Sequence, residues 1–230
     1  MNSLSQIEKK LGIRFKNKDL LQQAFVHRSY LNENRGFKLD HNERLEFLGD
    51  ACLELVVTEH LYDNYPNPEG ELTNWRAALV RGTTISKVAK ALGFEDYLLL
   101  SKGESKSTGK ARELILANTF EAVLGAIYLD QGYAVADKYL KKYLIPHLKE
   151  IISKQLYQDS KSRFQEVVQE KTGITPIYKL EKEEGPDHAK TFVMAVYIEE
   201  KKIAEGSGAS KQSAEQEAAR VALDIWEKNL

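Results

Sequence analysis

The repeat distance of the apolar residues changes once along this chain of 230 residues. Up to about residue 155, apolar residues recur every three to four positions, which is typical of packed helices. This period predicts helices near 4–11, 18–28, 41–64, 70–92, 112–130 and 134–153. After the polar stretch 154–161, a short helix is predicted from a capping-box spacing at Ser162 and Gln165 to a C-cap at Gly173. The chain is therefore expected to form an all-α domain over 1–155 and a smaller domain over 160–230.

The smaller domain shows the two-residue period of β-strands. In KTFVMAVYI (190–198) alternate residues are large and apolar, and IYKLEKE (177–183) and KKIAEGSG (201–208) complete three predicted strands. The connection 199–202 lacks the Gly or Asn that a tight hairpin usually has. A final helix is indicated by an apolar stripe whose small members would let it lie close to the sheet: Ala214, Ala218, Val221, Ala222 and Ile225. The predicted order is α-β-β-β-α, an α+β fold.

Composition narrows the class of protein. Because Cys52 is the single cysteine, no disulfide can form within the chain, and a small buried residue is the favoured interpretation. The start lacks the apolar run of a signal peptide, and no segment is long and apolar enough to span a bilayer. We therefore expect a cytoplasmic protein without membrane association. A net charge of −1 gives no overall attraction to polyanions, so a nucleic-acid surface would require local clusters of basic residues.

Acidic residues lie on one face of the third predicted helix. In HNERLEFLGDA (41–51), Glu46 and Asp50 are four positions apart, and Glu43 lies one turn earlier. Like charges at this spacing destabilise a helix by about 0.2–0.5 kcal/mol per pair, so a cationic partner is expected. A second helix, ILANTFEAVLGAIYLD (115–130), presents Asn118 and Glu121 three positions apart.

Two such helices facing one cleft would offer oxygen ligands to hard divalent cations such as Mg²⁺. Glu46, Asp50 and Glu121 carry three negative charges, and two Mg²⁺ ions together with a phosphodiester would complete the neutralisation. This balance of charges favours hydrolysis of a phosphodiester as the reaction. Spacing alone leaves a second interpretation open, in which the acidic face is solvated and paired with Arg44 or other basic residues.

Four segments carry a family resemblance: HNERLEFLGDA (41–51), FVHRSY (25–30), WRAALVRGTTIS (75–86) and ILANTFEAVLGAIYLD (115–130). They resemble the bacterial ribonuclease III family, and the C-terminal segment is similar to its double-stranded RNA-binding domain. The resemblance implies an all-helical endonuclease domain that forms a homodimer, followed by an α-β-β-β-α binding domain. It also implies Mg²⁺ as the cofactor, with Mn²⁺ as a substitute.

By this resemblance, the metal ligands are Glu46, Asp50, Asn118 and Glu121, and the three acidic members are catalytic. Glu43 and Glu69 match accessory acidic positions near the dimer cleft. Phe47 matches an apolar residue that inserts into the partner subunit, with packing in its own core as the alternative. Asn118 departs from the family, which usually has Asp there, so metal affinity and metal preference are in question.

The overall charge of the second domain does not favour RNA binding, so binding must depend on where individual residues lie. Residues 156–230 contain 11 Lys and Arg against 14 Asp and Glu, a net charge of −3. At the start of the last helix, Ser210, Lys211 and Gln212 combine a basic side chain with backbone N–H groups that favour phosphate. The family resemblance adds minor-groove contacts at Gln165, Glu166, Pro186 and His188, whereas Gln212 stands where a second Lys is common.

The first domain adds a basic segment, SKGESKSTGKAR (101–112). It is interpreted either as a mobile loop that clamps a duplex or as a solvated surface loop. Arg76 and Arg81 are expected to support helix packing or the dimer and not to contact RNA.

The sequence thus predicts a metal-dependent endoribonuclease that cuts double-stranded RNA into products with 5′-phosphates, 3′-hydroxyls and short 3′ overhangs. Precursors of ribosomal RNA and other structured transcripts are the expected substrates. One alternative is a double-stranded RNA-binding protein whose cleavage is weak or lost because of Asn118. A small-molecule metallophosphohydrolase is a second alternative, and it would not need residues 160–230.

Overall fold

Two compact units make up the computed structural model, which describes residues 4–157, 159–186 and 190–228. The first unit spans residues 1–157 and the second spans residues 158–230. The division falls within the polar stretch that separates the two hydrophobic periods. None of the helices in the described ranges is both long enough and apolar enough to cross a bilayer.

The first unit is helical, as predicted. Its helices are α1 (Leu4–Leu11), α2 (Lys18–Ala24), α3 (Arg28–Glu33), α4 (Glu43–Asn64), α5 (Glu69–Leu79), α6 (Gly82–Ala91), α7 (Gly109–Gln131), α8 (Tyr133–Tyr143) and α9 (Pro146–Ser153). Two short 3₁₀ turns, Phe94–Tyr97 and Glu104–Lys106, lie between α6 and α7. The longest helices, α4 and α7, provide most of the candidate site.

The helix predicted over residues 18–28 ends early. α2 stops at Ala24, and α3 begins only at Arg28. Between them, Val26 leaves helical geometry and pairs with Leu99 in a parallel bridge. Val26 is fully buried in this position. Because the apolar period continues through the break, the sequence pattern alone could not reveal it.

Two other predicted helices are each divided in two. The helix predicted over 70–92 breaks at Arg81, whose backbone is extended, with φ −61° and ψ 135°. The helix predicted over 134–153 stops at Tyr143 and restarts at Pro146. Proline lacks the N–H that would donate to the preceding turn, and it is favoured at the first position of a helix. Apolar residues on both sides of each break therefore led to one predicted helix where the backbone forms two.

α4 and α7 form the centre of the first unit. α7 is buried along most of its length between Ile115 and Ile127, as is typical of a helix that other helices surround. On α4, the side chains of Leu53, Val56 and Val57 are fully buried in the same core. Burying one such side chain stabilises a fold by about 1.5–3 kcal/mol. Apolar packing therefore holds the two helices together.

The second unit has the predicted α-β-β-β-α order. Its elements are α10 (Ser160–Thr172), β1 (Ile177–Glu184), β2 (Thr191–Ile198), β3 (Lys201–Gly208) and α11 (Lys211–Lys228). The strands are antiparallel and lie in the order β1-β2-β3. Helices and sheet share a core that includes Phe164, Val168, Val196, Ile198 and Leu223.

α11 lies close to the sheet, as its small residues predicted. Ala214, Ala218 and Ala222 are fully buried. A Cβ added to Gly206 on β3 would lie 2.1 Å from the backbone nitrogen of Ala218, so only glycine fits there. Ile225 was assigned to the same stripe, but its side chain is 39% exposed. The tightly packed part of the stripe therefore ends before it.

The N-cap of α10 differs from the prediction. Asp159, and not Ser162, caps the helix, because its carboxylate accepts a hydrogen bond of 2.9 Å from the backbone N–H of Ser162. A carboxylate at this end also interacts favourably with the helix dipole. The helix ends at Gly173 in the left-handed conformation, with φ 71°, as predicted.

β2 and β3 are joined by a two-residue turn without glycine. Ile198 pairs with Lys201 across the turn. Glu199 adopts φ 53°, in the left-handed region that favours Gly or Asn. The structure confirms that β2 and β3 are strands joined by a short turn. Glu199 takes the strained backbone conformation that Gly or Asn usually adopts in such a turn.

Candidate active site

α4 and α7 cross with two glycines at the point of closest approach. A Cβ added to Gly49 would lie 1.8 Å from the carbonyl oxygen of Glu121, and one added to Gly125 would lie 2.2 Å from a carbonyl oxygen of α4. Any larger residue would push the helices apart. The crossing therefore fixes the position of Glu121 relative to Glu46 and Asp50 on α4. Sequence reasoning missed both glycines, although two glycines inside long apolar helices are a signal for close packing.

The acidic cluster, defined as Glu46, Asp50 and Glu121, lies beside this crossing. Burial, together with the negative charges of Asp50 and Glu46, raises the pKa of Glu121 to about 8. Burial and the neighbouring Glu43 also raise the pKa of Glu46. The structure thus brings Asp50 and Glu46 close enough to Glu121 for their charges to disfavour its ionised form.

Asn118 on α7 also reaches the acidic cluster. Its side chain donates a hydrogen bond to Glu46, which opposes the rise in the pKa of that carboxyl group. Because Asn118 is neutral, it adds an amide oxygen to the cluster without adding negative charge. Carboxylate and amide oxygens are the ligands that hard divalent cations prefer.

The chemistry of these donors fits a divalent cation, although the side chains do not surround one position. Among the residues that the structure describes, no three His, Cys, Asp or Glu side chains are placed to bind a metal ion together. Half-buried carboxylates repel one another, and positive charge between them would relieve that repulsion.

Arg44 was the alternative partner for the acidic face. Its side chain is exposed, and no ion pair that involves it occurs among the described residues. No basic residue contributes to the raised pKa values of Glu46 and Glu121 either. Arg44 is therefore not the cationic partner of the acidic face.

The two accessory acidic residues lie in different places. Glu43 begins α4 and borders the acidic cluster, since it raises the pKa of Glu46. An oxygen of Glu43 also lies 3.5 Å from Nη1 of Arg28. Glu69 begins α5, accepts a hydrogen bond of 3.1 Å from Oγ1 of Thr73 and lines a separate cavity of about 590 Å³.

An apolar stripe lies on the outer side of α4. Phe47 is 82% exposed, Tyr62 is 80% exposed and Leu55, between them, is 57% exposed. The alternative that Phe47 packs in its own core is therefore wrong. α7 adds the exposed side chains of Leu114 and Leu129. Large apolar side chains that solvent reaches on neighbouring helices often mark an interface.

Arg76 supports helix packing, as predicted. Its Nε lies 3.0 Å from a carboxylate oxygen of Glu54, and its Nη1 donates a hydrogen bond of 2.9 Å to Oγ1 of Thr58. Both partners are on α4, so Arg76 joins α5 to α4. Arg81 is exposed at the start of α6.

The basic segment 101–112 has an internal scaffold. The guanidinium of Arg112 donates hydrogen bonds to the backbone carbonyls of Ser105 at 2.8 Å and Ser107 at 3.3 Å. Arg112 therefore belongs to the first turns of α7 and holds the preceding loop, which the predicted mobile or solvated loop did not include. Lys102 and Lys106 keep exposed side chains.

The RNA-contact residues predicted in the second unit lie on its surface where the structure describes them. Gln165 and Glu166 are exposed on α10, and Pro186 is exposed after β1. His188 lies outside the described residues. At the start of α11, Lys211 and Gln212 are exposed, and Ser210 Oγ accepts a hydrogen bond of 3.1 Å from the backbone N–H of Ser213. These positions lie in the middle of α10, just after β1 and at the start of α11.

Family models match both units. Residues 17–148 match the model described as ribonuclease-III-like. Residues 160–225 match the model described as double-stranded RNA binding motif. Together the two matches include every site residue predicted from the sequence.

Similar proteins extend over nearly the whole chain. Ribonuclease 3 of Streptococcus thermophilus is 46% identical over 226 residues, which cover 97% of this chain and 98% of that protein. Ribonuclease 3 of Enterococcus faecalis is also 46% identical and covers 95% of both chains. Among solved structures, the nuclease domain of ribonuclease III from Campylobacter jejuni is 38% identical, with a TM-score of 0.56. That match covers 61% of this chain and 94% of the other, whose structure was described for flexibility in a region involved in dimer formation.

Proposed function

Because this chain belongs to the ribonuclease III family, we propose that it uses the acidic cluster at the α4–α7 crossing to cleave double-stranded RNA. The chain is a double-stranded RNA-specific endoribonuclease. The observation that carries the assignment of the site is the pair of half-buried carboxyl groups, Glu46 and Glu121, whose pKa values are raised. Such groups concentrate at functional sites.

Glu46, Asp50, Asn118 and Glu121 are the proposed metal ligands. Mg²⁺, or Mn²⁺ in its place, would supply the positive charge that activates water and stabilises the departing 3′ oxygen. Glu121 must lose its proton to act as a ligand, so its raised pKa makes cation binding weaker at low pH. Asn118 keeps Glu46 oriented through their hydrogen bond. The proposed products carry 5′-phosphates and 3′-hydroxyls, with short 3′ overhangs.

We also propose that the apolar stripe on α4 forms the interface of a homodimer. Phe47 lies eight residues before Leu55, and Tyr62 lies seven residues after it. Two α4 helices that cross antiparallel near Leu55 would place each Phe47 opposite Tyr62 of the other copy. Tyr62 lines the cavity of about 590 Å³ that also contains Glu69, and this cavity would receive the Phe47 ring.

Such a dimer would give Glu69 a role that it lacks in a single copy. With Phe47 seated in the cavity, the adjacent Glu46 of that copy would approach Glu69 of the other. Glu69 would then be an accessory acidic residue of the opposite site. Each site would cut one strand of the duplex, which explains staggered cuts and 3′ overhangs.

The second unit would hold the duplex through its shape. A-form RNA hides its base edges in a narrow major groove and exposes 2′-hydroxyls in a shallow minor groove. Lys211 is the proposed phosphate contact, and its position at the start of α11 supports this because the backbone N–H groups and dipole add positive potential there. Gln165 and Glu166 on α10, with Pro186 and His188 after β1, are the proposed minor-groove contacts. We propose precursors of ribosomal RNA and other structured transcripts in the cytoplasm as the substrates.

Cleavage of labelled duplex RNA tests this function. Purified protein should yield short duplex products with Mg²⁺ and with Mn²⁺, but should only bind the RNA in Ca²⁺. Single-stranded RNA and duplex DNA serve as controls, and neither should be cut. Binding without any product in Mg²⁺ or Mn²⁺ would contradict the proposal and identify a binding protein.

A pair of variants tests the site. Glu121→Gln should lower the cleavage rate by about 100-fold or more, because losing a ligand removes several kcal/mol of charge stabilisation. Glu113→Gln changes an exposed acidic residue on the same helix and should cleave like the parent. Equal rates for the two variants would remove Glu121 from the site.

Sedimentation or size-exclusion chromatography tests the dimer. Phe47→Ala should shift the protein towards the monomer, since it removes the most exposed large apolar side chain of the stripe. Leu156→Ala is the control, because Leu156 is 51% exposed but lies outside the stripe. A monomeric parent protein would contradict the dimer proposal.

A further inference from the structure

The segment 25–30 (FVHRSY) joins separate parts of the first unit, and the activity proposed above gives it no role. We propose that His27 and Ser29 are positioning residues, which hold the basic loop 101–107 beside the start of α4 so that its lysines meet the backbone of a bound duplex. The inference rests on the proposed function, because it assumes a duplex RNA substrate.

One side of the segment binds the start of α4. The carbonyl of Val26 accepts a hydrogen bond of 2.9 Å from the backbone N–H of Asn42. The side chain of Asn42, which is buried, donates a hydrogen bond of 3.1 Å to the carbonyl of Ala24. The carbonyl of Asn42 then accepts a hydrogen bond of 2.9 Å from the backbone N–H of Glu46. The segment is thus tied to the first turn of the helix that carries the acidic cluster.

The other side of the segment binds the start of the basic loop. The backbone N–H of His27 donates a hydrogen bond of 3.0 Å to the carbonyl of Leu99. Two residues later, Oγ of Ser29 accepts a hydrogen bond of 3.1 Å from the backbone N–H of Ser101. These two contacts fix the chain just before the lysines of the loop.

His27 orients the Ser29 hydroxyl. Nδ1 of His27 accepts a hydrogen bond of 3.3 Å from the backbone N–H of Ser29 and lies 2.8 Å from its Oγ. With Nδ1 as the acceptor, the hydroxyl proton of Ser29 points at the ring, and a lone pair remains for the N–H of Ser101. Burial lowers the pKa of His27, which favours the neutral ring that this arrangement needs.

The charged groups around His27 place it between the loop and α4. After burial, Glu104 in the loop has the largest influence on the pKa of His27, and Arg28, Glu43 and His41 also act on it. Glu43 belongs to the first turn of α4. The ring is therefore near both of the elements that the segment connects.

Further contacts keep the loop in shape while its lysines point outward. The backbone N–H of Lys102 donates a hydrogen bond of 3.1 Å to the carboxylate of Glu33 on α3. Arg112 donates to carbonyls in the loop, including that of Ser105 at 2.8 Å. The side chains of Lys102 and Lys106 remain exposed. The loop is therefore held through its backbone, and no ion pair within the described part of the chain occupies the ammonium group of Lys102 or Lys106.

A preformed loop would strengthen duplex binding near the acidic cluster. Ordering a flexible loop costs free energy at the moment of binding, and a scaffold built into the fold removes that cost. Each lysine that neutralises a phosphate releases about one counterion, so it also adds to the dependence of binding on salt. Loss of the scaffold should therefore weaken binding and reduce its salt dependence together.

Ser29→Ala tests the inference, because it removes the hydroxyl with little change in volume. We expect KM for duplex RNA to rise about three- to tenfold with kcat within about twofold, and the slope of log K against log salt to fall by about one. Ser29→Thr keeps a hydroxyl and should recover most of the parent KM. Hydrogen exchange of the Ser101 amide without RNA should be faster in Ser29→Ala than in the parent.

Ser86→Ala is the matched control, since Oγ of Ser86 donates only to the carbonyl of Thr83 within its own helix. A Ser29→Ala variant with the KM and salt slope of this control would overturn the inference. Lys102→Ala changes an exposed side chain and is safe for folding. If Lys102→Ala and Lys106→Ala both keep the parent KM and salt slope, the inference fails whatever Ser29→Ala does.

The combination of Lys102→Ala with Ser29→Ala separates positioning from general destabilisation. If Ser29 acts through the loop, the lysine variant should cost less in the Ser29→Ala background than in the parent. Strictly additive effects would overturn the inference. A parent protein that does not cleave duplex RNA contradicts the proposed function instead, so the two failures are distinguishable.

Discussion

Gly49 and Gly125 face the opposite helix at the same crossing, each with its α-carbon against a backbone carbonyl of the other helix. The acidic cluster is arranged around this contact: Glu46 and Asp50 flank Gly49, and the carbonyl that Gly49 approaches belongs to Glu121. The lack of a side chain at Gly49 and Gly125 is thus as important for the site as the carboxylates.

Gly49→Ala should strongly destabilise the protein and disturb the cluster. Its Cβ would lie 1.8 Å from the carbonyl oxygen of Glu121, which is backbone and cannot rotate away. We expect a loss of about 3 kcal/mol or more in the free energy of unfolding, measured by urea titration. Gly70→Ala is the control: it has no atom within 4 Å of the added Cβ and should stabilise α5 by about 0.5–1 kcal/mol. Similar stability for the two variants would refute the close crossing.

Glu121 should make the metal-free protein less stable at high pH. Its pKa is about 8 in the folded protein against 4.5 for an ordinary glutamate, so folding favours the protonated form. That contribution is complete below the ordinary pKa and is lost as the pH rises through about 8. In EDTA, Glu121→Gln should therefore be more stable than the parent by about 1–3 kcal/mol near pH 9, with a smaller difference near pH 5. Thermal melts at both pH values provide the measurement, and parallel curves would contradict it.

Asn118→Asp should strengthen metal binding. The substitution adds a negative charge to a donor set that already fits a divalent cation, and it converts a neutral oxygen ligand to a carboxylate. We expect half-maximal cleavage at a lower Mg²⁺ concentration, by about tenfold, which corresponds to about 1.4 kcal/mol. Calorimetric titration with Mn²⁺ gives a second readout without RNA. The idea fails if the variant binds neither ion more tightly than the parent.

Tyr139→Phe should leave stability unchanged or raise it. The ring of Tyr139 packs against Phe120 in the core, 5.4 Å between centroids, while its buried hydroxyl has no hydrogen-bond partner among the described residues. Removing that hydroxyl should stabilise the fold by up to about 1–2 kcal/mol. Tyr143→Phe is the contrast, because the Tyr143 hydroxyl donates to the carbonyl of Lys10 at 2.9 Å; it should cost about 0.5–1.5 kcal/mol. Denaturant titration of both variants makes the comparison, and the opposite order would contradict it.

Much of the fold could be predicted because the hydrophobic period reports local geometry. The change of period separated the helical unit from the α-β-β-β-α unit, and all three strands were identified. The break at Val26 was missed because Val26 is buried like the helical residues around it. The break at Arg81 was missed because Leu79 and Ile85 are buried on either side of it and were assigned to one helix. The cap at Asp159 was missed because Ser162 and Gln165 have the same spacing as a capping box.

The candidate site was only partly visible in the sequence. Helical spacing placed Glu46 and Asp50 on one face, and family resemblance added the ligand set. Neither could show that Asn118 bonds to Glu46, or that Glu69 lies in a separate cavity, because both facts depend on how distant elements pack. The junction at His27 and Ser29 likewise joins residues that are more than seventy positions apart.

The packing of α4 against α7 has a consequence for the protein when its metal ions are removed. Its two central helices are held by buried side chains such as Leu53, Val56 and Phe120, so we expect this core to stay folded when metal ions are removed. A chelator should accordingly give a folded but inactive protein, which should regain its activity when divalent cations are added back.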